Sequence, residues 1–306
     1  MIMRFLVTGV SGQIGGALVA RMRGLGTILA ADRSVLDLSR PGALAAQLDA
    51  LSPDVILNPA AYTAVDRAED ERELAFTVNG ESPGVMAHWA AARGVPFVQL
   101  STDYVFDGSG DRPWREEDPV APLGAYGASK LAGEEAVRSA AGPHLIVRTS
   151  WIYAAQGANF LRTMARLAQE KNELRIVADQ IGAPTSAAVV ADVLATMIET
   201  KMPNLAATFA AAKNTVHLAT SGHTSWHGFA STIIEGLRRR GAAITVRQII
   251  PITSKEYPTK AVRPLNSRLD LTRLREAFGI TPRGWNEALE PELDAFMAAR
   301  NAAPVR

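Results

Sequence analysis

The chain has 306 residues, 47% hydrophobic and 21% charged, a balance that argues against a disordered or membrane protein and predicts one large α/β domain or two smaller ones. The 32 Lys and Arg residues nearly cancel the 31 Asp and Glu residues, and the net charge of +1 excludes a general attraction for nucleic acid or acidic lipid, so neither is expected as a partner. The absence of cysteine excludes a disulfide framework, a thiolate metal site and a thiol nucleophile.

The beginning of the chain runs directly into an apolar strand. Residues 1–8 lack the basic start, the apolar stretch and the cleavage site of a signal peptide. A membrane-spanning helix needs about 18 consecutive apolar residues, and no part of the sequence offers such a run. We therefore expect a soluble cytoplasmic protein.

The first half of the chain alternates short apolar runs with amphipathic stretches, the pattern of a parallel sheet wrapped by helices. Strands are predicted at residues 5–8, 27–31, 55–57, 97–100 and 145–148. Helices are predicted at residues 14–23, 41–51, 69–79, 82–93 and 126–140, with Ser82 as the cap of the fourth. Right-handed crossovers then make a doubly wound, Rossmann-type parallel sheet the expected fold.

Beyond residue 150 the alternation weakens, and glycines and prolines interrupt shorter elements. One more strand is predicted at residues 216–219, and helices at 187–200, 226–240, 271–278 and near the C-terminus. We therefore predict a dinucleotide-binding Rossmann domain over residues 1–155, with a returning segment near 185–220. A smaller C-terminal α/β lobe, over residues 156–184 and 221–306, is predicted to bind substrate.

A glycine-rich turn follows the first predicted strand and precedes a helix. This context suits a pyrophosphate, because the backbone can come close and donate N–H groups at the positive end of the helix. An ordinary tight turn is the alternative. Cofactor contacts are predicted from Gly9, Ser11, Gly12, Gln13, Ile14 and Gly15.

The second predicted strand leads to Asp32, the usual place for a carboxylate that binds the adenosine ribose. A carboxylate repels the 2′-phosphate of NADPH, whereas the adjacent Arg33 could pair with that phosphate. Both NADPH and NADH therefore remain possible cofactors. Asp37 and Leu38 are predicted near the adenine, although an exposed loop carboxylate is an equal alternative for Asp37.

Tyr126 and Lys130 stand four residues apart at the start of a predicted helix, so both side chains lie on one face. A phenol with a pKa of about 10 is a poor acid at neutral pH, and a nearby ammonium is expected to lower that pKa. Thr102, at the end of the fourth strand, is predicted to hydrogen-bond a substrate carbonyl. The alternatives are a solvated surface pair for Tyr126 and Lys130, and a strand-end cap for Thr102.

Seven segments together resemble the dTDP-4-dehydrorhamnose reductases, which belong to the extended short-chain dehydrogenase/reductases. The segments are TGVSGQIG at 8–15, NPAAYTAVD at 58–66, STDYVFDG at 101–108, YGASKLAGE at 126–134, RTSWIY at 148–153, DQIGAPT at 179–185 and RPLNSRL at 263–269. The resemblance implies a catalytic triad of Thr102, Tyr126 and Lys130, of which Tyr126 and Lys130 also contact the cofactor.

The resemblance also implies the remaining contacts. Ala60, Ala61 and Tyr62 would line the cofactor. The substrate side would comprise Thr102, Asp103, Tyr104, Trp151, Asn159, Gln180, Thr185 and Arg263, with Trp151 against the sugar and Arg263 paired with the diphosphate. Hydrogen bonding between the lobes is the alternative for Asn159, Gln180, Thr185 and Arg263. Trp226 is predicted to pack in the core of the small lobe rather than to contact ligand.

No metal is predicted. Some members of this family are joined through a metal that is held by an acidic residue early in the first helix, and residues 16–18 offer no carboxylate. His223 and His227 lack the further ligands of a zinc site. A monomer or a homodimer is expected.

The implied activity is the NADPH- or NADH-dependent reduction of the 4-keto group of a nucleotide-linked 6-deoxyhexose, with dTDP-4-dehydro-L-rhamnose as the expected substrate and dTDP-L-rhamnose as the product. Two alternatives stay open. One is an epimerase acting on nucleotide sugars with the same apparatus, and the other is a non-catalytic NADP-binding regulatory subunit.

Overall fold

The computed structural model describes residues 2–202 and 204–302. The strands within these residues are β1 (Arg4–Thr8), β2 (Thr27–Ala31), β3 (Val55–Asn58), β4 (Phe97–Thr102), β5 (His144–Thr149), β6 (Ile152–Tyr153), β7 (Glu173–Val177), β8 (Ile181–Gly182), β9 (Thr185–Ser186), β10 (Thr215–His217), β11 (Thr224–Ser225), β12 (Gln248–Ile252) and β13 (Asn266–Ser267). The helices are α1 (Gln13–Arg21), α2 (Pro41–Leu51), α3 (Arg72–Phe76), α4 (Ser82–Ala91), α5 (Ala125–Ser139), α6 (Phe160–Glu170), α7 (Ala187–Lys201), α8 (Leu205–Ala211), α9 (Trp226–Arg239), α10 (Thr272–Phe278) and α11 (Trp285–Ala302).

Parallel strands form the central sheet in the order β10-β5-β4-β3-β1-β2. This confirms the predicted doubly wound parallel fold. The strand order reverses between β1 and β3, so the crevice at the carboxyl ends of these two strands is where such sheets bind ligands. The last strand in the chain to join, β10, pairs with β5 at the edge.

Strand β1 shows why the sheet is apolar on both faces. Phe5 and Val7 pack with Leu194 of α7 on one face, and Leu6 packs with Leu48 of α2 on the other. All five side chains are buried. Helices cover both faces of a doubly wound sheet, so its inner strands are continuous apolar runs instead of alternating ones.

A separate apolar cluster surrounds α6, α9 and α11 and includes Leu161, Phe229, Ile233 and Leu293. Short sheets adjoin it, in the orders β12-β7, β11-β8-β13 and β6-β9. The division of the chain after residue 155 stays a prediction, and residues 303–306 of the predicted lobe lie outside the described residues.

The prediction of a single helix over residues 69–79 is wrong. The segment is a 3-10 turn at Arg67–Glu69, the short helix α3, and a π-helical stretch at Thr77–Glu81 that continues into α4. Ser82 therefore caps no helix, and its hydroxyl donates to the Leu38 carbonyl oxygen at 2.6 Å. The π-helical turn carries Asn79.

Helices α6 and α8, the strands β7 and β12, and the two-residue strands of the second half were not predicted. Helix α6 buries Leu161, Met164, Ala165 and Ala168, which recur at helical spacing. Within the described residues no helix is both long and apolar enough to cross a membrane.

Candidate active site

The predicted catalytic residues come from two adjoining elements. Thr102 ends β4, and Tyr126 and Lys130 lie in the first turns of α5. Lys130 is buried, and its ammonium group donates to the Leu100 carbonyl oxygen at 2.6 Å, which ties the helix to β4. The fold therefore brings all three residues to the carboxyl end of β4, where doubly wound sheets bind ligands.

Gly127 permits this close approach. A Cβ atom at that position would lie 2.2 Å from the carbonyl oxygen of Tyr104, so a larger residue would push α5 away from the turn after β4. The ring of Tyr104 packs edge-on against the ring of Tyr126, with 5.5 Å between their centroids. The Tyr126 phenol is thereby held beside the end of β4.

The charge states of the helix pair follow from burial. Burial raises the pKa of Tyr126 to about 12, a rise that a hydrogen bond with Thr102 opposes and the Asp103 carboxyl increases. Burial lowers the pKa of Lys130 to about 8, and Glu134 opposes that fall. The predicted lowering of the Tyr126 pKa is thus wrong for this arrangement. Tyr126 is protonated at neutral pH, as a proton donor must be.

Asp103 is a buried carboxyl group in the same turn. Its Oδ1 atom accepts a hydrogen bond from the Thr102 hydroxyl at 3.1 Å, and its Oδ2 atom has no hydrogen-bond partner within residues 2–202 and 204–302. Burial raises the pKa of Asp103 to about 7, and hydrogen bonds from Ser267 and Thr102 oppose the rise. Asp103 can therefore present either a neutral or a charged carboxyl to the site near neutral pH.

Behind Lys130 lies a buried ion pair that the sequence did not reveal. Glu134 accepts hydrogen bonds from the Ser101 hydroxyl at 2.6 Å and from Nη2 of Arg148 at 2.7 Å. Burial acts to raise the pKa of Glu134, but its hydrogen bonds with Arg148 keep that pKa below the ordinary value. The pair connects α5 to β4 and β5. Two opposite charges inside predicted elements are the signal that could have found it.

The glycine turn has the form that a pyrophosphate requires. Gly9 has a φ of +55°, and a Cβ atom there would lie 2.9 Å from Cα of Ala60. A Cβ atom on Gly15 would lie 2.3 Å from the Gly9 carbonyl oxygen. Gly12 precedes α1, whose first turn carries no acidic residue to repel an anion. The residues present therefore fit a dinucleotide.

The other predicted members of this turn lie around its open side. Ser11 is exposed, whereas Gln13 and Ile14 are half-buried. The Oε1 atom of Gln13 accepts a hydrogen bond from Nδ2 of Asn159 at 3.0 Å. Asn159 also caps α6, so this predicted substrate residue joins the glycine turn to the second half of the chain.

A polar ladder that the sequence did not reveal joins the turn to the next strands. The Thr8 hydroxyl donates to Oδ1 of Asn58 at 2.6 Å and accepts from the Ala60 N–H at 3.2 Å. Asn58 in turn donates to Gln99 at 2.8 Å. The contacts align the ends of β1, β3 and β4, so the cofactor turn and Ala60 keep a fixed spacing.

The acidic residues after β2 accept hydrogen bonds from within their own loop. Asp32 accepts from the Ser34 N–H at 2.8 Å and the Ser34 hydroxyl at 2.6 Å, which together lower its pKa. Asp37 accepts from the N–H and hydroxyl groups of Ser39 in the same way. Arg33 is 77% exposed and 3.3 Å from Asp37, so its guanidinium can reach a ligand.

Leu38 behaves differently from its neighbours. It is buried in the core beside Leu48, so its side chain is not at a surface that a cofactor could contact. Its carbonyl oxygen is the acceptor for Ser82. A contact with the cofactor would have to come from the remaining backbone of the loop.

The loop after β3 explains the π-helical turn. Asn79 accepts from the Tyr62 N–H at 2.8 Å and donates to the Tyr62 carbonyl oxygen at 3.0 Å, so its side chain braces the Ala60–Ala61–Tyr62 loop. The Tyr62 hydroxyl donates to Glu71 at 2.6 Å. The inserted turn aims Asn79 at the loop, in keeping with the frequent use of such turns at functional sites. No motif or spacing predicted this contact.

Among the predicted substrate residues, Trp151 stacks on Trp226, with 3.7 Å between ring centroids. Trp226 was predicted to be core, and it does pack on Phe160, but both indole rings remain half-buried. Gln180 accepts from Nε1 of Trp226 at 3.1 Å and donates to Ser254 at 2.9 Å.

Thr185 and Arg263 favour the protein-contact alternative in this arrangement. Thr185 is fully buried and its hydroxyl donates to Ala183, so the structure does not bring it to a ligand surface. The guanidinium of Arg263 makes two hydrogen bonds to the Asp66 carboxylate, at 3.0 and 2.7 Å. A diphosphate would have to share or replace that partner.

The structure groups no three His, Asp or Glu side chains as a metal site in the described part of the chain. His227 instead contacts the Ile249 carbonyl oxygen at 3.1 Å.

A glycine turn at the point where the strand order reverses, with a Thr, Tyr and Lys set beside it, defines a nicotinamide-dependent enzyme of the extended short-chain dehydrogenase/reductase class. The sequence profile of the RmlD substrate binding domain matches residues 3–298. The chain belongs to this family, which is that of the dTDP-4-dehydrorhamnose reductases.

Individual relatives cover nearly the whole chain. A dTDP-4-dehydrorhamnose reductase from Burkholderia thailandensis is 47% identical over 289 residues, 94% of this chain and 97% of that protein. The crystal structure of one from Clostridium acetobutylicum superposes with a TM-score of 0.87 at 36% identity, over 96% of this chain and 100% of the other. One from Bacillus anthracis, in complex with NADP, gives a TM-score of 0.86 at 33% identity, over 96% and 99% of the two chains.

Proposed function

We propose that this chain reduces the 4-keto group of dTDP-4-dehydro-L-rhamnose to give dTDP-L-rhamnose, with NADPH or NADH as the reductant. The observation that carries the proposal is the convergence of Thr102, Tyr126 and Lys130 at the end of β4, on the same edge of the sheet as the glycine turn. The relatives are dTDP-4-dehydrorhamnose reductases, and one of them forms a complex with NADP, which supports the substrate and the cofactor.

The glycine turn, Asp32, Arg33, Asp37 and the 60–62 loop would hold the cofactor, whereas the buried Leu38 would support the loop from below. When bound, the nicotinamide supplies the hydride for the keto carbon. Tyr126, kept protonated by its buried surroundings, donates its phenolic proton to the oxygen of the reacting carbonyl. The Thr102 hydroxyl, which donates to Asp103 in the ligand-free chain, would turn to hold that oxygen, and the Lys130 ammonium stabilises the phenolate that remains.

The rest of the chain serves the sugar in this proposal. Residues 156–184 and 221–306 form the substrate lobe, and residues 1–155 with 185–220 form the cofactor domain. Trp151 lies against the sugar, while Asp103, Tyr104, Asn159 and Gln180 border it. Closure of the lobe over the site would exclude water from the transfer.

The setting of the reaction is also part of the proposal. A chain without cysteine and with a net charge of +1 suits a small-molecule enzyme of the cytoplasm, working as a monomer or a homodimer. We include neither a nucleic acid nor a membrane among its partners.

The test is to mix the purified chain with freshly made dTDP-4-dehydro-L-rhamnose and either cofactor, and to follow nicotinamide absorbance. We expect cofactor oxidation in a one-to-one ratio with dTDP-L-rhamnose formation, measured by chromatography. Epimerised sugar without net cofactor oxidation would replace the proposal with the epimerase alternative. Cofactor binding without conversion of any 4-keto nucleotide sugar would leave the regulatory alternative.

A further inference from the structure

Trp226 is fixed at the head of a helix. It is the first residue of α9, and the Ser225 hydroxyl accepts from the Gly228 N–H at 3.0 Å to cap that helix. The indole N–H of Trp226 donates to Oε1 of Gln180 at 3.1 Å, and Gln180 donates to Ser254. These contacts leave the Trp226 ring little freedom to turn.

One face of this fixed ring carries Trp151. The two indole planes are 3.7 Å apart at their centroids and tilted by only 10°. The rest of the Trp226 ring meets Phe160, at 4.5 Å, and Phe160 packs on Phe229 of the second apolar cluster. A continuous row of aromatic rings therefore connects the buried cluster to Trp151.

The opposite face of Trp151 is closed by Gly182. A Cβ atom there would lie 2.6 Å from Cε2, 2.8 Å from Nε1 and 2.9 Å from Cζ2 of Trp151. Nearly equal distances to three joined ring atoms place Gly182 over the plane of the ring, on the side away from Trp226. The indole of Trp151 is therefore clamped between a glycine and a second tryptophan, and the residue stays half-buried.

The backbone of Trp151 shows that this position is imposed. Its φ is +48°, in the left-handed region that bulky residues avoid. Such a conformation persists only where surrounding contacts determine it, and it is found most often at functional sites. Without Trp226 the strained residue would lose the surface that holds its ring.

We propose that Trp226 is a positioning residue of the nucleotide-sugar site, acting by holding the Trp151 indole ready for the sugar. The inference rests on the proposed function, in which Trp151 contacts the sugar. A contact residue that is already in place binds with less loss of conformational freedom. Removal of Trp226 should therefore weaken substrate binding and leave the groups at Tyr126 unchanged.

The experiment compares W226L and W226F with the wild type. W226L should raise KM for dTDP-4-dehydro-L-rhamnose about tenfold, with kcat and NADPH affinity unchanged within about twofold. W226F keeps a ring but loses the N–H donor, so its KM should lie between those of the wild type and W226L. The matched control is W89L, because Trp89 also donates from Nε1 and stacks with a side chain, yet lies between α2 and α4.

A second measurement reports the ring pair directly. Two stacked indoles give a split band in the far-ultraviolet circular dichroism spectrum, which W226L, W226F and W151F should lose and W89L should keep. A folded W226L protein that retains the wild-type KM would overturn the proposal.

A third variant guards against a W226L protein that does not fold. G182A displaces Trp151 from the other face of its ring and should raise KM in the same way, and an unchanged KM in folded G182A overturns the proposal. A wild-type protein that fails to reduce the keto sugar would overturn the proposed function alone. Affinities for dTDP-L-rhamnose, measured by calorimetry, would then decide: equal values for wild type and W226L overturn the role of Trp226.

Discussion

The two sides of the site are built in different ways. The side that holds Thr102, Tyr126 and Lys130 rests on β4, with six buried residues, and on α5, with fifteen residues. On the proposed sugar side, Trp151 and Gln180 each precede a strand of only two residues, and the contacts there are single side-chain pairs, such as the two tryptophans and the Asp66–Arg263 ion pair.

The difference separates chemistry from recognition. A long strand and a long helix distribute a local change over many contacts, so the reacting groups keep their geometry when the surface changes. Single contacts between distant segments can be exchanged one at a time. Substitutions on the first side should therefore reduce turnover, and substitutions on the second side should alter affinity.

The strongest test of this contrast is Tyr126→Phe. Loss of the phenolic proton donor should reduce kcat by a factor of about 10² or more, while the dissociation constant of NADPH stays within about twofold. Initial rates and fluorescence titration measure the two quantities. Tyr153→Phe is the matched control, since the Tyr153 hydroxyl is buried without a hydrogen-bond partner in the described part of the chain, and its rate should equal that of the wild type. Unchanged turnover in Tyr126→Phe would remove this residue from catalysis.

The next effect concerns stability and pH. Burial raises the pKa of Asp103 from 3.8 to about 7, so the folded protein holds this proton more tightly than the unfolded chain does. The contribution of this proton to the free energy of unfolding is therefore complete below about pH 4 and is lost as the pH rises through about 7. The loss amounts to about 2–4 kcal/mol.

Asp103→Asn keeps the shape of the side chain and removes the titration. The free energy of unfolding of the variant, measured in urea between pH 4 and 8, should fall less with rising pH than that of the wild type. Parallel curves for the two proteins would contradict the assignment of a raised pKa to Asp103.

A smaller effect tests whether Arg263 binds the substrate or pairs only with Asp66. If its guanidinium also binds the substrate diphosphate, Arg263→Ala should raise KM about tenfold, as expected for a lost charge-assisted hydrogen bond. Asp66→Ala frees the guanidinium and should leave KM the same or lower. Equal increases in the two variants would show that the ion pair itself, and not a phosphate contact, is what the site needs.

The smallest expected effect concerns the choice of cofactor. Arg33→Ala should weaken NADPH about fivefold and leave NADH unchanged, because an exposed guanidinium gains only a modest energy from the 2′-phosphate. Calorimetry with both cofactors measures this. Arg166→Ala, at a comparably exposed position on α6, is the control. A loss of affinity for NADH as well would indicate damage to the Asp32–Asp37 loop.

The first side was largely predictable from the sequence, since strand, turn and helix follow one another within a few residues. The glycine turn, Thr102, Tyr126 and Lys130 could thus be placed from periodicity and from the order of elements. The doubly wound sheet follows from the same local signals. The one local failure, at residues 69–79, occurred where Asn79 is needed for the contact with Tyr62.

The second side could not be predicted in the same way. Arg263 and Asp66 are 197 positions apart, and Trp226 and Gln180 are 46 apart, so neither pairing leaves a periodic trace. A two-residue strand such as β8 carries no alternation to detect. Family resemblance pointed to Trp151, but its partner Trp226 was assigned to the core because helical aromatics usually pack there.

Helix α5 is also fixed along its length, at Gly133, where a Cβ atom would come within 2.0 Å of the Asn79 carbonyl oxygen. Tyr126 and Lys130 are thus carried on one helix that cannot shift along its axis. A change that moved one of them would move the other by the same amount. New sugar preferences must therefore arise by exchange of the residues that face α5, while the spacing of Tyr126 and Lys130 stays constant.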